Sequence, residues 1–302
     1  MKIVIAGGTG FIGTALARHL VVGRHQVIVL TRDLPRAKSQ LGNLCECVRW
    51  DAEHSGDWEQ ALSGSDAIVN LAGASVAGAR WTAPRKRVLV DSRIHATRAL
   101  ASALSRWAHK PSVLINASGV GFYGASDDRV LDEHADRGEG FLADLSATWE
   151  AEAGSVQALG VRAVCLRIGL VLEKDGGALP RMAHPFRLFA GGPVMPGTQW
   201  VSWIHRADLV RLIEWAMSNE KVSGPVNAVA PNPVTMDEFC RTLGEVLNRP
   251  SWIPVPEVIL KLVLGELGSL MTTGQRVAPI VAQSGGYRFQ HPSLKEALRT
   301  IF

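Results

Sequence analysis

Short, nearly continuous apolar runs recur along the first half of the chain: KIVIA (2–6), QVIVL (26–30), ECVRW (46–50), AIVNL (67–71), VLINA (113–117) and RAVCLRIGLVL (162–172). Most lack polar alternation, the pattern of parallel strands covered on both faces. Amphipathic stretches lie between them, among them FIGTALARHL (11–20) and RKRVLVDSRIHATRALASALSRWA (85–108). Strand–helix alternation of this kind predicts an α/β fold, a Rossmann-type doubly wound parallel sheet with right-handed crossovers. After Val171 the rhythm breaks into Gly/Pro-rich loops: GGALPRM (176–182), AGGPVMPGTQW (190–200) and APNP (230–233). A helix over 207–217 and a strand over 226–230 are expected to return to the sheet. Further helices are expected around 235–248, 256–270 and 293–301. The implied division is residues 1–172, with 200–232 returning, as a nucleotide-binding unit, and 173–199 with 233–302 as a smaller, discontinuous C-terminal substrate or lid domain.

The first strand runs straight into AGGTGFIG, with Phe11 and Ile12 opening a helix. Gly7, Gly10 and Gly13 are spaced for a tight turn, for close approach of backbone N–H groups to a pyrophosphate, and for helix–strand packing; the helix N-terminus favours the phosphate charge. An acid that would bind a ribose 2′-hydroxyl is expected at the end of the second strand. Thr31 and Arg32 stand there instead, and a guanidinium suits a 2′-phosphate, so NADP(H) is the expected cofactor. Asp51, after the third strand, is placed to accept from an adenine amino group. Leu71, Ala72 and Gly73 follow the fourth strand, where small residues let backbone lie against a dinucleotide. Arg93, in the long helix, faces either that crevice or a surface ion pair.

Composition narrows the partners. The 302 residues carry a formal charge of +4, with 47% hydrophobic and 20% charged residues, ordinary for a globular enzyme. No run of five or six Lys/Arg occurs, so a phosphorylated small ligand accounts for the excess and nucleic acid is not expected as a partner. VILKLVLGELGSL (258–270) is too short to span a bilayer and carries Lys261 and Glu266, so no membrane role is expected. The N-terminus shows no signal-peptide pattern and the four cysteines form no framework, which together point to the cytoplasm. The nine histidines form no metal-ligating pattern. Monomer and homodimer are equally allowed.

GGTGFIG, NLAG, Ser92-Arg93 and GFYG occur in this order, followed by Leu166-Arg167-Ile168-Gly169, GGAL (176–179), Pro185-Phe186-Arg187, Gly191-Gly192-Pro193, Gln199-Trp200, Trp203-Ile204-His205 and Gln275-Arg276-Val277. In these marks the chain resembles the extended short-chain dehydrogenase/reductase superfamily, and within it an atypical epimerase-like subgroup ending in a small domain of unknown function. The resemblance implies NADP(H) held by Thr31-Arg32, Leu71-Ala72 and Arg93, and Val171 beside the nicotinamide.

The superfamily's Tyr-x-x-x-Lys dyad occurs nowhere. The only tyrosines, Tyr123 and Tyr287, are followed four residues on by Asp127 and His291, and the matching helix LADLSATWE puts Leu142 and Ser146 at the dyad positions. Tyr123 and Ser118, at the end of the fifth strand, are the substitute catalytic candidates. Tyr123 either donates a proton to substrate, a task it otherwise leaves to water, or packs under a loop with its hydroxyl on backbone. Ser118 either polarises a substrate oxygen or caps its strand. Two functions follow: an NADP(H)-dependent oxidoreductase or nucleotide-sugar epimerase-like enzyme acting on a small carbonyl or hydroxyl substrate, or a non-catalytic NADP(H)-binding sensor or scaffold.

Overall fold

The computed structural model describes residues 1–266, 268 and 271–302. In chain order the elements are β1 (Lys2–Ala6), α1 (Phe11–Val22), β2 (Gln26–Thr31), α2 (Leu34–Leu41), β3 (Glu46–Arg49), β4 (Ala67–Asn70), α3 (Ala83–Arg106), β5 (Val113–Gly119), β6 (Val130–Leu131), α4 (Phe141–Gly154), β7 (Arg162–Ile168), β8 (Leu170–Leu172), α5 (Leu179–Arg187), β9 (Trp200–Val201), β10 (Trp203–His205), α6 (Arg206–Ser218), β11 (Gly224–Ala228), β12 (Val234–Thr235), α7 (Met236–Leu247), α8 (Glu257–Leu264) and β13 (Arg276–Val277), with short helices at Ile280–Ser284 and Leu294–Ile301. Seven strands form one parallel sheet in the order β11-β7-β5-β4-β1-β2-β3. The order reverses between β1 and β4, which opens a crevice at their carboxyl ends.

Two-residue periodicity along each strand sorts side chains between two cores. Ile3 and Ile5 of β1 pack with Leu16, Ala17 and Leu20 of α1 and Leu209, Leu212 and Ile213 of α6. Val4 and Ala6 face the other way, onto Ala96, Leu100 and Leu104 of α3. Each Val, Leu or Ile among them, fully buried, stabilises the fold by about 1.5–3 kcal/mol. Helix α3 starts where Thr82 Oγ1 accepts from the Arg85 amide at 3.3 Å, with a proline in its first turn. Its buried positions, from Leu89 through Arg93, Thr97 and Leu100 to Leu104, follow the helical repeat.

The expected strand over 162–172 is two strands. A Cβ on Gly169 would sit 2.3 Å from the Ser202 carbonyl oxygen, so the chain closes on β10 there. It leaves the main sheet, and Val171 pairs with Ile204 in a separate two-stranded ribbon. Residues 200–205 therefore build small ribbons (β9 with β12, β10 with β8), while β11 completes the main sheet beside β7. A further core joins Leu172, Leu179, Phe186, Trp203, Phe239, Leu243, Leu298 and Ile301.

The C-terminal segment is also tied to the main sheet. Asp208 on α6 is fully buried and accepts from the amides of Gln290 and His291 at 2.8 Å each. Tyr287 donates to the Asp208 carbonyl at 2.7 Å, and Ala282 and Tyr287 pack in the α1/α6 core. The helix expected over 256–270 is seen as α8; residues 267, 269 and 270 of that range lie outside the described residues. Among the described residues no helix is long and apolar enough to cross a membrane.

Candidate functional site

The glycine loop and the β4 turn meet at the switch point. Gly7 has φ +77°, and a Cβ on it would lie 2.8–2.9 Å from backbone atoms of Leu71 and Ala72. Leu71 N donates to the Ala6 carbonyl at 2.9 Å, and the Ala72 amide donates to Asn70 Oδ1 at 3.2 Å. Asn70 is itself held by Thr97 Oγ1 at 2.9 Å and Asn116 Oδ1 at 2.7 Å, and Trp149 Nε1 also reaches Thr97 at 2.9 Å. This buried polar cluster orients the turn that faces the glycine loop. Its members are spread over 80 residues of sequence, so no local motif announced it. Phe11 is clamped from the other side: Cβ atoms on Gly176 or Gly177 would lie 2.4 and 3.0 Å from its ring, and the Arg206 guanidinium stands 5.0 Å from the ring centroid. The Val171 carbonyl lies under Gly177. Gly10 caps α1 and Gly13 lies in its first turn, and Ile12 packs against the α1/α6 core.

At the end of β2, Thr31 is buried and Arg32 exposed. The neighbouring Asp33 caps α2, accepting from the Arg36 amide at 3.0 Å, and so is turned away from Arg32's role. Asp51 is exposed and bound into its own turn: amides of Glu53 and His54 and the His54 ring hold it at 2.8–2.9 Å, pushing its pKa down to about 2.

Arg93 is 9% exposed. Its Nη1 donates to the Leu89 carbonyl at 2.9 Å, its guanidinium lies 5.0 Å from the Trp149 ring, and a Cβ on Gly73 would come within 3.1 Å of its Cζ. Burial, with Arg85's charge second, pulls its pKa down to about 10. It forms no ion pair among the described residues, so of its two sequence readings the surface ion pair is excluded.

Tyr123 lies in the interior, 3% exposed, among Leu131, Val229 and Val277. Its hydroxyl sits 2.7 Å from Asn227 Oδ1 and 2.9 Å from the Asp132 carbonyl, and accepts from Arg167 Nη1 at 2.9 Å. Asn227 Nδ2 donates to the Ala278 carbonyl, which leaves Oδ1 facing the phenol. Burial raises the phenol's pKa. The expected proton donor is thus surrounded by protein groups, and the packing alternative describes it. Tyr123→Phe is expected to cost about 1–2 kcal/mol in urea unfolding, from the unpaired Asn227 and Arg167 groups, with NADPH affinity unchanged. A large loss of affinity at unchanged stability would return the phenol to the crevice.

Ser118 belongs to the same polar network. Its Oγ donates to Glu150 Oε1 at 2.7 Å, and Glu150 receives Arg167 Nε and Nη2 at 2.9 Å each. The pair is buried, with side chains 5% and 13% exposed. Burial works against Arg167's charge, but Glu150 more than offsets it and raises the guanidinium pKa. With its proton on Glu150, Ser118 keeps lone pairs and can accept from a substrate hydroxyl rather than polarise a carbonyl. At the dyad positions Leu142 packs on Gly121, where a Cβ would lie 2.8 Å from its own, and Ser146 is buried. His205 accepts from the Ala207 amide at 3.1 Å and stacks 4.0 Å from His291, capping α6. Among the described residues no group of three or more metal-ligating side chains occurs.

Residues 3–229 match the family described as NAD dependent epimerase/dehydratase, and residues 255–301 match Domain of unknown function (DUF1731). The chain is 40% identical over 303 residues to the chloroplastic epimerase family protein SDR39U1 homolog of Arabidopsis thaliana, covering 100% of this chain and 86% of that protein. It is 40% identical over 302 residues to epimerase family protein YfhF of Bacillus subtilis, covering 100% and 98%. Among solved structures, human epimerase family protein SDR39U1 with NADPH superposes with a TM-score of 0.87 at 33% identity, over 100% and 99% of the two chains. UDP-sugar 4-epimerases near 17% identity share the fold. With its Rossmann-type sheet and glycine loop, the chain belongs to the NAD dependent epimerase/dehydratase family.

Proposed function

We propose that this protein binds NADP(H) across the β1/β4 crevice and acts as an oxidoreductase, with epimerase-like chemistry, on a small carbonyl or hydroxyl substrate. One observation carries the reading: Arg93 is a buried guanidinium beside the Gly73 turn with no ion-pair partner among the described residues. A charge so placed is costly unless a ligand anion joins it. The glycine loop supplies the complementary cradle of backbone donors, and Thr31-Arg32 supplies the 2′-phosphate contact. The human relative solved with NADPH supports the same cofactor. Bound nicotinamide supplies hydride exchange. Leu71 and Ala72 present backbone to the cofactor, Val171 and Gly177 close over Phe11, and Ser118 accepts from a substrate hydroxyl while passing its own hydrogen bond to Glu150. The proton released or taken up is exchanged with water, since Tyr123 is enclosed.

Fluorescence titration tests the cofactor. NADPH is expected to bind at least tenfold tighter than NADH, and Arg32→Ala to abolish the difference, a shift of about 1.4 kcal/mol. Equal affinities in the unaltered protein would sink the assignment. Consumption of NADPH with a member of an aldehyde, ketone and nucleotide-sugar panel then tests turnover.

A second reading, a non-catalytic NADP(H) sensor, is favoured by Leu142 and Ser146 at the dyad positions, which offer no side chain to shuttle protons or steer the ribose. It predicts no consumption over the whole panel, and a proteolysis pattern of the C-terminal segment that differs between NADPH and NADP+.

A further inference from the structure

Two cysteines stand side by side at the free edge of the main sheet. Strand β3 ends the strand order and pairs with β2 alone, Cys47 standing opposite Val29. Cys45 leads into that strand, and both side chains pack against the α1/α6 core. Cys47 Sγ lies 3.9 Å from the Cys45 carbonyl oxygen, and the two thiols are close enough to interact with each other.

Unlike the buried Cys165 and Cys240, both are half-buried free thiols. A cavity of about 430 Å³ opens beside them, lined by Lys38, Gly42, Asn43, Cys45, Glu46 and Cys47. A Cβ on Gly42 would meet nothing within 4 Å, so that wall stands clear. Lys38 and Arg18 bring positive charge to the thiols, against the negative charge of Glu46. The cavity belongs to the amino end of β3, whereas the dinucleotide crevice opens at the carboxyl ends of the strands.

Burial keeps both thiols protonated, with the Cys45 pKa pushed up to about 11, so neither acts as a nucleophile at neutral pH. A thiophilic cation reverses this, because the thiolate is the ligand and binding displaces the proton. The number of ligands then selects the ion. Among the described residues no third metal-ligating side chain joins the pair, so zinc would lack half of its four ligands, and calcium or magnesium its oxygens. Copper(I) is soft and is matched by thiolate sulfur. Two thiols and one copper(I) give a bis-thiolate complex and two protons, which pass to water; the metal is neither oxidised nor reduced. That complex carries one negative charge, which Lys38 and Arg18 offset.

We propose that Cys45 and Cys47 form a two-thiolate site for a soft monovalent cation of the copper(I) class, separate from the dinucleotide crevice.

The probe is copper(I) itself, offered to the full chain under anaerobic, reducing conditions in competition with the chromogenic chelator bicinchoninate. One equivalent is expected to leave the chelator, and X-ray absorption of the loaded protein is expected to report two sulfur neighbours. Cys45→Ser and Cys47→Ser should each weaken the ion by about 100-fold or more. Tm and NADPH affinity should stay near those of the parent in both, which separates a lost ligand from a lost fold. Failure of the parent to withdraw copper(I) overturns the proposal. Uptake that survives in the Cys45→Ser, Cys47→Ser double variant also overturns it, placing the ion on other side chains. Should either variant lose its fold, the spectrum of the parent still decides, since a copper with fewer than two sulfur neighbours contradicts the two-thiolate site.

Discussion

Glu150→Ala is expected to destabilise the protein by about 3–5 kcal/mol, read as a fall in the urea midpoint at unchanged slope. The carboxylate receives a two-pronged guanidinium and the Ser118 hydroxyl in a site where Arg167 is nearly sealed from water. Removing it strands a positive charge whose other contacts, the Tyr123 hydroxyl, the Glu133 carbonyl and the faces of Phe122 and Tyr123, carry no net negative charge. Replacing both partners, Glu150→Met with Arg167→Met, is expected to do much less harm than the single change, because no bare charge remains. A single variant as stable as the parent would show that the pair is not the clasp between β7 and α4.

Gly10→Ala is expected to weaken NADPH by on the order of 100-fold, about 2.7 kcal/mol, with little change in stability. The backbone at Gly10 has φ −80° and ψ 175°, which alanine adopts readily, and its Cβ would meet only the Gly7 carbonyl, at 3.2 Å. The added methyl stands at the N-terminus of α1, where a pyrophosphate must come close to the amides. Gly13→Ala is a useful contrast. Its Cβ would lie 2.4 Å from the Gly7 carbonyl oxygen and 2.6 Å from Gly8 Cα. Backbone has to move there, so stability should fall by about 1–3 kcal/mol along with affinity. Unchanged NADPH affinity in Gly10→Ala would remove the loop from the cofactor site.

The main sheet was legible because parallel strands buried on both faces leave unbroken apolar runs: β1, β2, β4 and β5 fall within a residue or two of where hydropathy puts them. The break at Gly169 was not, since the obstacle is the carbonyl of Ser202, 33 residues away. Helix α5 hid behind Pro180, read as part of a Gly/Pro-rich loop, although it stands in the opening turn, where a missing N–H does no harm. Around the crevice, the glycine loop and the strand-end residues could be placed from sequence, because their positions depend on backbone. Tyr123 and Ser118 show the limit. Their positions near the carboxyl edge followed from the strand pattern, but the direction of each side chain depends on Arg167, Glu150 and Asn227, which come from other elements.

The buried Asp208 carboxylate separates ancestry from cooperativity. The two family matches end and begin at residues 229 and 255, which marks two inherited segments. Yet a carboxylate in the first segment is satisfied by amides of Gln290 and His291 in the second, and the tyrosine just before them fills the first segment's own core. A chain cut at 229 would carry an acid with its donors amputated, in the middle of its α1/α6 layer. The two segments are thus expected to melt as one thermodynamic body, and a gene rearrangement that swapped the tail would need to bring its own answer to Asp208.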